Sequence, residues 1–580
     1  MMKKLFLPWL PGLALAPLLM AGPISVAELN YRPANDVDEE YIELINTSGA
    51  AYNLNGCQFT TGITYTFGAL TLAPGQRVVV CRDRSKLAAR YGSVQNLAAS
   101  TYSGRFSDDG ETVVLLAADG SELIRLQYRP DGDWPSRANG LGSSLEAVNP
   151  DGDLSDPGNW RSSTEYLGSP GRAGVGPMRR IIINEVLAHT DPPLEDAIEL
   201  HNVTDQPIDM GGWYLSSQRS KPTRFRIPAP WVVPARGYTV FYAYQFDSAS
   251  PAPGDDPFAL NSFQGDEAVV VSTDNQGNLQ YWMDAVSFGA TQNGVSLGRF
   301  PNAAGPLVPM SQLSLGTSIS ASNPPELLPV FRTGSGASNA YPMVGPLVFN
   351  RIQYRPGVDG DEFVELINSS AFQVPLFDPA NPGNGWKIGG GIDYIFQEQT
   401  VLGPGEKVLI VPIDPAAFRT KYNLPTSQRI SGPFTSQLSN TGERVALFKP
   451  DPPQLPPHPD AGLVPYILVE QVSYSPDSPW PSGANGTGAA LQRINPLQFA
   501  DDPSAWTLDT LAPVPALRVD WDGTSLVLRW NAVTDQLLVL ESIGSPTATP
   551  WLEVAVIEPG VVSRSVSTSD LARFYRLRRR

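Results

Sequence analysis

The 580-residue sequence is poor in the side chains on which most active sites depend, with only two cysteines and three histidines. Three histidines, His189, His201 and His458, give a His-based triad or a zinc centre little to draw on. His189 and His201 flank an acidic strand, where a metal pair is conceivable, but neither recurs in the repeats described below and surface variation accounts for both. Positive charge is also short. Forty-one Lys and Arg stand against 58 Asp and Glu, a net charge of −17, so a surface that had to neutralise phosphates would work against the protein's own field, and nucleic acid is not an expected partner. No apolar run after residue 25 is long enough to cross a bilayer, so no integral membrane span is expected once the N-terminal segment is removed.

What is abundant is punctuation. Gly (52) and Pro (56) are frequent while charged residues make up only 17% of the chain, a balance that favours short strands and many turns. The chain is also longer than the roughly 250 to 300 residues at which one core stops growing, so several domains are expected. At the N-terminus, Lys3 and Lys4 precede an apolar run from Leu5 to Met20 and the small residues Ala21 and Gly22. That order reads as a signal peptide over residues 1–22, and Pro8, Pro11 and Pro17 argue against a continuous spanning helix. A secreted or cell-surface location follows as the expectation, with the periplasm as an alternative.

One phrase is written three times. "EYIELIN", "DAIELHN" and "EFVELIN" place Glu43, Glu199 and Glu365 at intervals of roughly 160 residues, the scale of whole domains rather than of solenoid repeats. Each follows an opening strand ("ISVAELNYRP", "IIINEVLAHT", "LVFNRIQYRP") and precedes an aliphatic strand after a tight turn ("LAPGQRVVVC", "VVPARGYTVFYA", "VLGPGEKVLIVP"). Polar turns then feed further strands: "FSDDGETVVLL", "FQGDEAVVVS" and "LSNTGERVALF". In the acidic strand Ile42 and Leu44, or Val364 and Leu366, fall on one face while Tyr41, Glu43 and Ile45 take the other. Short strands at this spacing predict β-sandwiches.

The ordered set of these phrases, with "GDWPSRANGLGSSLE", "NWRSS" and "GSPG" in the first copy and "SPWPSGANGTGAALQR" in the third, resembles the lamin tail domain. That resemblance implies an immunoglobulin-like β-sandwich, found in nuclear lamins and in many secreted bacterial proteins. The second copy departs after Gly289, lacking the Trp-Pro pair and the terminal Gly-Ser-Pro-Gly. The expected organisation is an all-β chain of tandem immunoglobulin-like sandwiches: units at 23–176, 177–317 and 347–515, a Ser/Pro/Gly/Asn-rich linker at 318–346, and a small β domain at 516–580. The alternating tail resembles fibronectin type III-like modules of exported bacterial proteins, although it is short for that class.

Candidate chemistry is thin. Cys57 and Cys81 both lie in the first copy, and export predicts a disulfide between them, with two buried free thiols as the alternative. "GVSLG" around Ser296 matches a nucleophile elbow, but the copies align it with Ser144 in a strand rather than in a strand-to-helix turn. Asp151, Asp153 and Asp156 offer calcium ligands, yet Trp160 stands where a twelve-residue calcium loop needs its closing Glu, which favours a capped turn. Asn46, Asn202 and Asn368 each open an Asn-x-Ser/Thr triplet, and their shared place after the acidic strand suggests turn formation. For Glu43, Glu199 and Glu365 no paired acid is seen to recur, so each is read as a strand glutamate that fixes register. No catalytic residue, metal ligand or cofactor is therefore predicted. The expectation is an exported non-enzymatic protein that binds a surface polysaccharide or protein, or spaces such binding; a hydrolase component binding metal or carbohydrate is the alternative.

Overall fold

The computed structural model describes residues 22–357, 359–458 and 460–509, and from there the stretches 517–521, 525–530, 538–543, 552–558, 561–566 and 574–579. Residues 1–21, which carry nearly all of the expected signal peptide, lie outside the described residues.

Alternation of apolar and polar residues decides the architecture. In the strand Tyr41–Asn46, Ile42 and Leu44 enter the core of the first unit, whereas Tyr41 joins a second cluster on the opposite face. The neighbouring strand Arg77–Cys81 divides likewise, with Val78 and Val80 in the core and Val79 and Cys81 behind the sheet against Leu87 of the helix Arg84–Tyr91. The result is a sandwich of two five-stranded sheets. One runs in the order 160–162, 145–147, 24–30, 41–46, 77–81; the other in the order 122–128, 111–116, 58–61, 63–66, 103–104.

The second and third units repeat this plan. Their first sheets run 238–242, 197–202, 181–187, 297–299, 307–309 and 429–431, 407–410, 363–368, 347–353, 490–493, 506–509. The second unit thus keeps both closing strands, Leu297–Arg299 and Leu307–Pro309, without the Trp-Pro signature of its neighbours. All three opening strands slip register at one place, leaving Ala27, Asn184 and Asn350 as bulges beside the acidic strand. The protein is all-β, built from tandem immunoglobulin-like sandwiches. The tail holds two three-stranded antiparallel sheets around Leu528, Trp530, Leu540 and Ile557.

Two expectations are corrected. Cys57 and Cys81 are both free and buried, because Cys57 faces the space between the sheets while Cys81 faces the helix on the far side. Residues 318–346 are not a loose linker: Phe331 is fully buried with Leu187, Val240, Tyr242 and Leu315, and Tyr242 Oη donates to Gly334 O (3.0 Å). Leu315 and Phe331, with Ile319 and Leu328 partly buried beside them, anchor this Pro/Gly-rich segment across the outer face of the second unit's sheet.

The units also touch. Trp282 of the second unit donates its indole N–H to Gly142 O of the first (2.8 Å), packs at a tilt against Tyr166 and lies under the Arg137 guanidinium. Backbone bonds from Tyr166 N to Gln280 O (2.9 Å) and from Trp282 N to Thr164 O (2.8 Å) add the first unit's closing segment to the edge of the second unit's sheet. Between the second and third units, Phe300 packs edge-on against both Tyr341 and Phe499.

Candidate functional site

The thrice-written phrase carries two acids, and the fold gives each a separate task. The first of them, Glu40, Asp196 or Glu362, accepts a backbone N–H from the loop entering the opposite sheet: Phe106 (3.2 Å), Leu260 (3.2 Å) and Leu438 (2.9 Å). Burial pushes Glu40 up to about 7 and Asp196 up to about 6. The second acid, Glu43, Glu199 or Glu365, points to the outer face and is enclosed there.

That second acid has a partner which comparison of the copies by residue identity had hidden. The opening strand places Glu28 opposite Glu43, Glu185 opposite Glu199, and Arg351 opposite Glu365. Paired carboxylates therefore do recur, in the first two units, contrary to the reading that none accompanied these glutamates. In the third unit the pair has become an ion pair (2.7 Å), which also engages Asp509 (2.8 Å).

In the first unit Glu28 accepts from Tyr41 Oη (2.8 Å), from Ser144 Oγ, and from both the backbone N–H (2.8 Å) and the hydroxyl (3.1 Å) of Ser169. Glu43 accepts from Arg77 and from Gly171 N (2.6 Å). Burial, and the charge of Glu43 beside it, push Glu28 up to about 7; burial also raises Glu43, against the pull of Arg77. The closing Gly-Ser-Pro-Gly is thereby bolted to the sheet, and Gly168 must be glycine. Its φ is +100°, and a Cβ there would collide with Tyr41 Oη, Glu28 Oε1 and Ser144 Oγ.

The second unit closes in the same way with other residues. Glu185 accepts from Ser296 Oγ and from Ser314 N (3.1 and 3.2 Å to its two oxygens). Glu199 accepts from Asn184 Nδ2 (2.8 Å) and Ala337 N (3.0 Å). Burial pushes Glu185 up to about 7; burial first, and Glu185 second, hold Glu199 well above the carboxylate range. Ser296 thus serves as a hydrogen-bond donor within the sheet, in the place Ser144 occupies in the first unit.

The remaining sequence candidates fall into place. Asn46, Asn202 and Asn368 are fully buried and spend their side-chain amides on the turn: each donates to the carbonyl four residues on (2.8, 2.8 and 2.7 Å) and accepts from the backbone N–H two residues on (3.0 Å each). Asp151 is exposed, and Asp153 and Asp156 accept from Ser155 N (2.8 Å) and Gly158 N (2.9 Å), so this stretch is a run of capped turns. No cluster of three or more metal-ligating side chains is present among the described residues. His201 stacks on Tyr238 with ring centres 4.1 Å apart. His189 meets His458 across the ring of Phe263, in a cleft of about 630 Å³ between the second and third units that Asp451 and Leu455 also line. Sequence distance concealed that meeting.

The lamin tail domain family model matches residues 20–130 and 176–290, the first and second units. The third unit lies outside both matches but shares their strand order. No curated protein matches the chain. Among solved structures, the chain is similar to a DUF4876 family protein from Bacteroides thetaiotaomicron VPI-5482, at 12% identity over 57% of this chain and 92% of that one, with a TM-score of 0.17. No helix among the described residues is long and apolar enough to cross a membrane.

Proposed function

The chain carries lamin tail domains in tandem, and from that premise we propose that it is an exported, non-enzymatic protein that holds binding loops at set spacings at the cell surface or outside the cell. The observation that carries this reading is what became of the repeated acid. A catalytic carboxylate must reach substrate, whereas Glu43, Glu199 and Glu365 are enclosed and spent on backbone N–H groups and neighbouring side chains. Packed junctions at Trp282 and Phe300 fix one unit against the next, as a spacer requires. Several weak contacts presented in series gain strength through avidity.

The ligand class that fits is a cell-envelope polysaccharide or a surface protein. The cleft between His189, Phe263, Asp451 and His458 is a place for it, with a ring for stacking and polar groups at its rim. The test is retention of the mature protein on envelope polysaccharide and on immobilised envelope proteins, with Phe263→Ala as the comparison. Retention that the variant weakens supports the proposal. Turnover of a glycan, ester or peptide substrate by the purified protein overturns it, as does the absence of a processed, exported form in cell fractions.

A further inference from the structure

The segment 311–343 does two things at once. Along the second unit it covers the Glu185–Glu199 pair with the N–H groups of Ser314 and Ala337, buries Phe331, and clamps Arg332 to Glu195 (2.7 and 2.6 Å). At its far end the Tyr341 hydroxyl accepts from Phe499 N of the third unit (2.8 Å), and its ring packs on Phe300. We propose that this segment is a strap whose grip depends on a proton held by the Glu185–Glu199 pair, so that loss of the proton lifts the strap and loosens the junction with the third unit.

The geometry carries the proposal. The pair is ringed by Asn184, Ser296, the backbone of the strap, and Tyr242 of the strand Tyr238–Tyr242. The nearby cations are committed elsewhere: Arg299 to Asp284 (2.8 Å) and Arg332 to Glu195. His201, on the same strand as Glu199, faces Gly237 O and the Tyr238 ring, and burial lowers its affinity for a proton. Two carboxylates enclosed together without a cation cannot both ionise cheaply. Hydrogen-bond donors favour the charged form, but here they are outweighed by burial at Glu185, and by burial and the charge of Glu185 at Glu199. Water relieves both, and the strap is what keeps water out.

The other two units form an internal series. In the first, Arg77 sits on Glu43, so one of the two charges is already met; in the third, Arg351 stands on the opening strand where the other units have Glu28 and Glu185. Sensitivity to the proton should therefore fall from the second unit to the first to the third.

Hydrogen–deuterium exchange on the whole chain at pH 5.5 and 8.5, corrected for intrinsic rates, tests this. Peptides covering 311–343 should lose protection tenfold or more at the higher pH, while those covering 363–368 hold theirs. Glu185→Gln keeps an acceptor for Ser314 N but removes the charge, and should hold the strap down at pH 8.5; Glu199→Gln does the same should the first variant fail to fold. Strap protection equal at both pH values in the unaltered chain, or a pH response that survives in a folded variant, overturns the proposal.

Discussion

Glu185 and Glu199 lie opposite one another on adjacent strands, enclosed by a segment more than a hundred residues further along the chain, and no cation is among their partners. A carboxyl whose proton affinity rises on folding stabilises the fold fully below its unfolded value and loses that contribution as pH climbs through the folded one. For Glu185 the window runs from the ordinary glutamate value of 4.5 to about 7. The thermal transition of the second unit should fall across this window by the equivalent of up to about 3 kcal/mol, then level off. Glu185→Gln should flatten the curve in calorimetry; an unchanged slope would refute the assignment.

The third unit allows the converse experiment. Arg351→Met removes the cation that Glu365 and Asp509 share, leaves Glu365 with the more distant Lys407 (3.9 Å), and should cost about 3 kcal/mol in urea unfolding at pH 8. Arg351→Glu rebuilds the acid pair of the other units, and should steepen the loss of stability that the third unit shows as pH rises above 5, beyond what its half-buried Glu362 and buried Glu470 already contribute.

Gly168→Ala should cost about 2 to 3 kcal/mol, since it combines positive φ with collision against the Glu28 cluster. Gly75→Ala is the comparison: its φ is +73° but nothing lies within 4 Å, so conformational strain alone should give a smaller loss of about 1 kcal/mol. Equal losses would mean that the bolt around Glu28 adds nothing.

Trp282→Ala removes a buried ring, its hydrogen bond to Gly142 and the seat of Arg137. A cost of about 3 to 5 kcal/mol is expected. Limited proteolysis should then open the 163–176 segment first, ahead of sites within either sandwich.

Alkylation of the denatured chain without reductant should label both Cys57 and Cys81, and reductant should leave thermal unfolding unmoved. A single unlabelled, bridged species would show that Cys81 turns inward to meet Cys57 between the sheets, against the register of its strand.

How much of this was legible follows from what kind of information the sequence holds. Period-two alternation put Ile42 and Leu44 inward and Glu43 outward, because a strand has only two faces. The recurrent Asn46, Asn202 and Asn368 were readable as turn formers, because an Asx turn is closed by residues two and four positions away. Glu28 was missed as the partner of Glu43 because a bulge and a hairpin stand between them, and because the third copy writes Arg351 there. Residues 318–346 looked like a linker because composition reports backbone freedom, and cannot report that Phe331 and Tyr341 each find a pocket or a partner. The disulfide failed for a similar reason. Two cysteines in one domain suggest a bond, but which side of a sheet each faces is settled by register.

The edge strand contributed at Thr164 and Tyr166 has a consequence for how such chains can be recombined. A cut at the apparent boundary near residue 176 would hand the second sandwich to a new host with its Trp282 bare and its sheet one rung short. Shuffling these modules therefore has to move each sandwich together with the tail of the one before it, and the heritable unit is offset from the visible one by about a dozen residues.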